Sequence, residues 1–525
     1  MYKTAEKRLE KLHQAGVADR LRNGLIGIEK ESLRVSPEGS VAQTTHPESI
    51  GSPLTHPYIT TDYSEALTEF ITPPSADRRE PLVFLQEMHK FVSHHLDDDE
   101  ILWATSLPCV LEGGENIPIA RYGNSNAGQM KTVYRRGLGH RYGRVMQVIA
   151  GVHFNYSLPE GFWPVFQELE GNRQAPQLFI AESYFGMLRN LQRFGWLIPY
   201  LFGASPAVCK SFLGGRPTNL KSFDQYTYYS PYATSLRMGD IGYQNSKEQG
   251  TGIKACYDSM GAYIESLSRA IDTPCPIYQA IGVKVNGRYE QLNANILQIE
   301  NEYYSTVRPK QVPDGMEKPI LALKRRGVRY IELRSLDVNA FHPLGIDESQ
   351  ISFLEAFMIY CTLHESPPIN AFEQREIDRN EGAAAHRGRD PALYLQRNGR
   401  EVSLSVWGLE ICEAMQPVCE LLDADLPEPI HSQSLERQRQ SLRDAALTPS
   451  ARMLAEMRQR GESFFEFAQR MSRQHFGFFQ QAERSPDFDL LLRETANRSW
   501  TRQREIEAAD KVSFDEFLAQ YFAQH

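Results

Sequence analysis

The sequence predicts an α+β protein with a mostly helical C-terminal part. Three observations carry that prediction. First, 525 residues, of which 41% are apolar and 23% charged, suffice for a large buried core. Second, from Gly24 to about Gly345, short runs of alternating apolar and polar residues mix with Gly, Pro and Tyr. That is the texture of strands and ordered loops between helices. Third, after Asp347 the chain turns to Leu, Ala, Glu, Gln and Arg, which favour helix.

In chain order, Thr4 to Arg22 reads as an amphipathic helix with Leu9, Leu12, Ala15 and Val17 near helical spacing. Leu25 to Val35 and Val152 to Ser157 alternate as strands, as do Gln291 to Asn295 and Tyr330 to Arg334. Thr60 to Pro73 fits either period: as a strand its alternation is imperfect, and as a helix it sets Asp62 and Glu69 seven residues apart. Gln350 to Leu363 and Ser432 to His525 read as helices. Arg375 to Arg400, with Gly382, Gly388, Pro391 and Gly399, reads as a long loop. A soft boundary near 345 separates an α+β part, 1–345, from a helical part, 346–525, with a single domain as the alternative.

Charge and cysteines narrow the function classes. With 57 basic and 66 acidic residues the net charge is −9, which gives no global pull toward nucleic acid. The seven cysteines (Cys109, Cys209, Cys256, Cys275, Cys361, Cys412 and Cys419) are scattered, with no CxxC pair. That argues for free thiols in a reducing compartment. Met1 to His13 lacks an apolar run, so no signal peptide is expected. The most apolar stretch, Phe194 to Val208, is too short and too broken by Gly and Pro to span a bilayer. The expectation is a cytoplasmic chain that binds neither membrane nor nucleic acid. P-loop, dinucleotide-binding, zincin and nucleophile-elbow motifs are absent.

The chemistry gathers on strand faces. Glu29 and Glu31 share one face of their strand. His153, Asn155 and Ser157 share a face, opposite Val152, Phe154 and Tyr156. Glu332 and Arg334 share a third, and Asn293 and Asn295 repeat the theme. A solvated face would show more Lys, Thr and Ser. Neighbouring carboxylates repel unless a cation lies between them, and Mg²⁺ prefers carboxylate, water and phosphate oxygens. Several acids plus Arg334 therefore suit a nucleoside triphosphate held by metal. His153 is a poorer Mg²⁺ ligand, so Mn²⁺ can substitute. A second constellation, Tyr134 to Gly143, is basic and aromatic, and Tyr226 to Tyr243 adds Tyr228, Tyr229, Tyr232, Arg237 and Tyr243. Together they suit a pocket for a small zwitterion, an Arg taking its carboxylate.

Six segments together resemble the proteobacterial-type glutamate–cysteine ligases. They are GIEKESLR (27–34), TTDYSEALTEFITP (60–73), RYGNSN (121–126), GVHFNYS (151–157), FGWLIPYLFGASP (194–206) and YIELRSLD (330–337). The likeness runs in order from roughly 20 to 365 and is loose beyond. It implies a glutamine-synthetase-like fold, a curved antiparallel sheet with the active site on its concave face and helices packed outside. It further implies ATP-dependent joining of the γ-carboxylate of L-glutamate to the amino group of L-cysteine through a γ-glutamyl phosphate, the first step of glutathione synthesis. By position, Glu29, Glu31, Asp62, Glu69, His153 and Glu332 look like the metal-site residues for Mg²⁺. Arg334 looks like the arginine on the phosphoryl group, with Arg135 as its catalytic companion. Tyr63, Tyr134, Leu138, Gln147, Arg237, Tyr243 and Tyr304 look like the amino-acid pocket. Tyr63 departs from the pattern, where Phe is as readily expected, and its hydroxyl would alter how the pocket treats the thiol substrate. The expected partners are L-glutamate, L-cysteine and ATP, and the expected state is a monomer. The rivals are a related ligase with another acceptor amine, an inactive homologue that only binds nucleotide or a partner, and a nucleic-acid patch at Arg135, Arg136 and Arg141.

Overall fold

The computed structural model describes residues 3–97, 99–242 and 254–524. Seven strands form its main sheet: β1 (Leu25–Val35), β2 (Ile59–Thr61), β3 (Leu67–Ile71), β4 (Ile101–Leu102), β5 (Val152–Ser157), β6 (Val307–Lys310) and β7 (Tyr330–Leu336). They lie in the order β6-β7-β5-β1-β3-β2, with β4 paired to the end of β1, and every pairing is antiparallel. Thr60 to Pro73 is thus a hairpin, with Asp62 just past β2 and Glu69 within β3. Pro309 is tolerated in β6 because that strand is the sheet edge.

Around the sheet lie α1 (Lys3–Gln14), α2 (Arg79–Ser93), α3 (Asn126–Tyr142), α4 (Pro176–Arg193) and α5 (Pro319–Arg326). After Asp347 come α6 (Glu348–Leu363), α7 (Ala371–Arg387), α8 (Leu404–Asp423), α9 (Ile430–Arg443), α10 (Pro449–Arg460), α11 (Phe464–Gln481), α12 (Pro486–Ala509) and α13 (Phe514–Phe522). The dry face of the sheet is built by Ile26, Ile28, Val152, Phe154, Tyr156, Ile331 and Leu333, all buried. Behind it α6 packs on β5, and α4 packs on both α6 and β6. α6 is mostly apolar and buried on every side from Gln350 to Leu363, Glu355 being its one buried acid. Asp347 and Gln350 close its first turn as a capping box. Lys30 breaks the dry face. Lys30 Nζ lies 3.0 Å from His89 Nε2, and burial brings its pKa down to about 7.

Three expectations change. The first helix stops at Gln14, and a short 3₁₀ turn, Ala18–Leu21, follows. Gln291 to Asn295 is no strand: Asn295 N donates to Asn293 Oδ1 at 3.0 Å, an Asx turn. Arg375 to Arg400 is no loop. It holds most of α7, and then a hairpin of Tyr394–Arg397 and Arg400–Ser403. Asn398 and Gly399 form its two-residue turn with φ of 54° and 75°, the left-handed pair that Asn-Gly supplies at least cost.

A buried ionic group ties α6, α8 and α9 together. His431 Nδ1 lies 2.9 Å from Asp423 Oδ1, and its Nε2 lies 3.0 Å from Glu355 Oε2. Burial opposes charge on His431, but the bonds to Asp423 and Glu355 outweigh it and raise the pKa. A raised folded-state pKa stabilises fully below the unfolded value of about 6.5 and is lost as pH climbs through the folded one. A His431→Gln variant should therefore lose more melting temperature against the parent at pH 6 than at pH 9. An equal loss at both pH values would remove the ionic account.

Candidate active site

Strand register builds the polar face. His153 on β5 is the partner of Glu29 on β1, and Glu69 on β3 is the partner of Glu31. On β7, Glu332 pairs with Asn155. His153 Nδ1 stands 3.1 Å from Glu29 Oε2 and 3.7 Å from Glu332 Oε1, and its Nε2 stands 3.9 Å from Glu31 Oε1. Asn155 Nδ2 donates to Glu29 Oε1 at 2.9 Å. Ligand atoms of Glu29, Glu69 and His153 all lie within 4.8 Å of one another. The Asp62 carbonyl accepts from Arg135 Nε, and its carboxylate lies 3.9 Å from Arg135 Nη2.

Cations border the acids on β6 and β7. Arg334 Nη1 lies 3.2 Å and Lys310 Nζ 3.3 Å from Glu332 Oε1. Burial alone would raise the Glu332 carboxyl, but Lys310, Arg334, His153 and Arg308 hold it well below the usual range. Glu29 is likewise lowered, because its His153 bond and the Lys310 charge outweigh burial and Glu332. Glu69 goes the other way: burial, then Glu29, Asp62 and Glu31, push it well up. Glu31 is raised by burial and by Asp62, against the pull of His153. The unbalanced repulsion therefore falls on β1 and β3, away from the Arg and Lys side.

These residues wall a cavity of about 500 Å³. Glu29, Glu31, Asp62, Glu69, His153, Glu332, Arg334 and Arg135 all line it, as do Tyr134, Leu138, Gln147, Arg237 and Tyr304. α3 supplies Tyr134, Arg135 and Leu138 from one side, its first turn capped by Ser125 Oγ accepting from Gly128 N at 3.1 Å. Arg237 enters beneath Gly151, where a Cβ would stand 2.1 Å from its Nη2. Glycine there lets the guanidinium reach the Arg334 carbonyl at 3.0 Å, while Gly151 N donates to Glu31 Oε2 at 2.6 Å.

One pocket expectation, Tyr63, is not among the residues that line the cavity. Tyr63 is 1% exposed and lies under α3, its hydroxyl so close to Gly139 that a Cβ there would stand 2.4 Å away. It sits in the turn after β2, where strand alternation no longer tells which way a side chain points. Its hydroxyl is buried with no hydrogen-bond partner among the described residues. Tyr63→Phe should therefore leave the KM for cysteine within twofold of the parent and keep or raise the melting temperature, since an unpaired buried hydroxyl costs on the order of 1–3 kcal/mol. A several-fold change in that KM would return Tyr63 to the pocket. Tyr243 lies outside the described residues. Of the other Tyr226–Tyr243 residues named above, Tyr228 and Tyr229 form a small strand, Tyr232 is exposed and only Arg237 reaches the cavity.

Sequence reading missed Arg308 and Lys310, which share one face of β6 and line the cavity, and also Lys131 and Glu302. Pro309 hid that strand; its alternation was the available signal. The basic run on α3 makes no patch for a polyanion. Arg135 is held to Asp62, Arg136 donates to the Tyr289 carbonyl, and Arg141 is wholly buried 2.8 Å from Glu302.

An antiparallel sheet gathers Glu29, Glu31, Glu69, His153 and Glu332 on its wet face, with Asp62 in the adjoining turn, beside Arg and Lys and above an amino-acid-sized pocket, an arrangement that suits a ligase activating a carboxylate with ATP. The comparisons specify which. The profile of the glutamate–cysteine ligase family matches residues 9–383, and the chain belongs to that family. The glutamate–cysteine ligase of Alcanivorax borkumensis is 46% identical over 525 residues, 99% of each chain. The likeness thus continues through the C-terminal helices, beyond the six segments. A crystal structure of the Francisella tularensis glutamate–cysteine ligase in complex with AMP superposes with a TM-score of 0.89 at 35% identity, over 95% of this chain and 98% of that one. A bifunctional glutathione synthetase from Pasteurella multocida shares the fold, with a TM-score of 0.74 at 23% identity over 93% of this chain and 58% of its own. The protein joins L-glutamate to L-cysteine at the expense of ATP, giving γ-glutamylcysteine for glutathione.

Proposed function

We propose that Glu29, Glu31, Asp62, Glu69, His153 and Glu332 hold the Mg²⁺ of the ATP complex, with Mn²⁺ able to replace it, and that Arg334 stabilises the phosphoryl group in transfer. The convergence of five of these side chains from four strands, with Asp62 from the turn after β2, on one cavity wall carries the reading. The donor set fits a hard cation, since it is nearly all carboxylate. Glu332 Oε2 adds to the fit, being buried with no hydrogen bond among the described residues. Bound there, Mg²⁺ supplies charge neutralisation between the phosphates and the incoming γ-carboxylate.

The chain's own groups do the rest. Arg334, Arg308 and Lys310 present positive charge along one wall, where the transferred phosphoryl group develops negative charge. Arg237 and Tyr304 enclose the amino-acid end with Tyr134, Leu138 and Gln147, and Arg135 fixes Asp62 beside them. A carboxylate is a poor electrophile toward an amine, so phosphorylation provides the leaving group. Holding the amine against the acyl phosphate supplies much of the remaining rate.

On the same reading the enzyme works as a monomer in the cytoplasm, residues 1–345 carrying most of the site and 346–525 packed on them. Free cysteines and the lack of any described helix able to cross a membrane support that setting. ADP release should depend on added Mg²⁺, return with Mn²⁺ after chelation, and require glutamate plus cysteine within a panel of amines. Undiminished turnover in excess chelator would overturn the metal assignment.

A further inference from the structure

The segment YIELRSLD supplies the site with Glu332 and Arg334, yet it ends on a carboxylate that the site does not use. Asp337 follows β7, is 1% exposed and is not among the residues that line the cavity. A buried carboxylate is stable only when donors surround it. Asp337 draws its donors from two other stretches of chain. Its Oδ2 accepts from Ala204 N at 2.8 Å and from Ser205 Oγ at 2.6 Å, and its Oδ1 accepts from Ser235 Oγ at 2.9 Å. Ser205 and Ser235 also pair as an isolated parallel bridge. The positive charge beside the carboxylate is Arg237, whose Nη1 stands 3.6 Å from Oδ1.

We propose that Asp337 is a positioning residue, which fixes the Arg237 guanidinium in the orientation that takes the carboxylate of one amino-acid substrate. The proposal rests on the reading that Arg237 belongs to the amino-acid pocket. The cluster around Asp337 holds Arg237 at its backbone as well as its tip. Arg237 N donates to Ser205 Oγ at 3.3 Å, and Met238 N donates to Ser235 Oγ at 3.2 Å. At the tip, Nη1 lies toward Asp337 and Nη2 donates to the Arg334 carbonyl at 3.0 Å. An arginine side chain has many rotamers, and ordering it before the substrate arrives removes that cost from binding. The three neutral donors matter too. They keep the carboxylate 3.6 Å from the guanidinium instead of in a closed bidentate pair, so the fork stays able to take a second carboxylate. Arg334 and Asp337 are three residues apart. One short stretch of chain therefore anchors both the phosphoryl arginine and the arginine of the amino-acid pocket.

The test uses the full chain with Arg237→Lys, Asp337→Asn and the double variant, reading KM for ATP, glutamate and cysteine and the melting temperature. Arg237→Lys should raise the KM for one amino acid, which identifies the carboxylate that Arg237 takes. Asp337→Asn is nearly isosteric, and its amide oxygen still accepts from Ala204 N. It should raise that same KM about tenfold, with the KM for ATP within about twofold of the parent. The double variant should be no more than about twofold worse than Arg237→Lys alone, because a residue that acts through another adds nothing once the other is gone. Ser235→Ala removes one donor from Asp337 and keeps the charge, and should raise the same KM about threefold. Where Asp337→Asn does not fold, Ser235→Ala decides. Parallel rises in all three KM values, or multiplied effects in the double variant, mark Asp337 as a structural group and overturn the proposal. If Arg237→Lys raises one amino-acid KM and Asp337→Asn does not, the positioning role alone falls. If Arg237→Lys leaves both amino-acid KM values unchanged, the pocket reading of Arg237 falls and this one with it.

Discussion

Glu29→Gln should lower turnover by at least about 10³-fold while moving the melting temperature by no more than a few degrees. The substitution is nearly isosteric. The amide oxygen still accepts from Asn155 Nδ2, 2.9 Å from Glu29 Oε1, and the amide nitrogen faces His153 Nδ1. What disappears is one negative charge from a cluster whose members already repel. Glu69 shows that repulsion, its carboxyl pushed well up by burial and by Glu29, Asp62 and Glu31. Glu29 itself is held ionised by His153 and Lys310, so removing its charge forfeits that gain while relieving the repulsion on Glu69, and the two changes largely offset in stability. On the proposed metal assignment, the same loss deprives the cation of a ligand on the central strand. ADP release at saturating glutamate, cysteine and Mg²⁺ measures the first effect, and thermal melting the second. A variant that melts more than ten degrees lower would mark Glu29 as a structural strut, and one with parental turnover would remove it from the metal set.

Much of this site was legible because strands report their faces. Glu29 with Glu31, His153 with Asn155, and Glu332 with Arg334 each keep a two-residue period that survives into the sheet. Where the chain leaves a strand, the period says nothing, and there the reading slipped. Tyr63 follows Asp62 into the turn after β2 and points away from the cavity. Arg308 and Lys310 keep the period but flank Pro309, which reads as a breaker until β6 is known to be an edge. Tyr521, which lines the cavity from α13, had no local signal. Its place depends on α13 folding back across α3 and the segment after β6, a contact far apart in sequence.

The fold shows the same division. The composition change after Asp347 marked the helices correctly, since helix propensity sums over long windows. Between 375 and 400 the glycines were weighed as breakers. Gly382 lies inside α7 with open space around it, where a glycine costs about 1 kcal/mol and does not end the helix. Asn370 holds the first turn by accepting from Phe372 N and Glu373 N. The Asn398-Gly399 dipeptide between two polar-apolar runs was the stronger local signal for a hairpin.

Arg334→Lys should cut kcat by about 10³-fold and leave the KM for cysteine within threefold. The charge survives the change, so what is tested is the planar fork. Arg334 keeps its charge in place: burial works against it, but Glu332, Glu31 and Glu29 outweigh burial and raise its pKa. Its backbone N donates to the Thr306 carbonyl at 2.8 Å, and Nη1 is engaged by Glu332 at 3.2 Å. Nε is shielded from solvent and makes no hydrogen bond among the described residues. On the proposed assignment, that donor would be met by an anion arriving in the cavity, the transferring phosphoryl oxygen. Lysine can keep the contact to Glu332 as a compact ammonium, yet it offers no second fixed donor for the phosphoryl oxygens. An interaction made only in the transition state lowers kcat and kcat/KM together. If Arg334→Lys instead raised the KM for ATP with kcat intact, Arg334 would bind ATP in its ground state alone, and the charge of the transferring group would have to be met by Arg308 and Lys310.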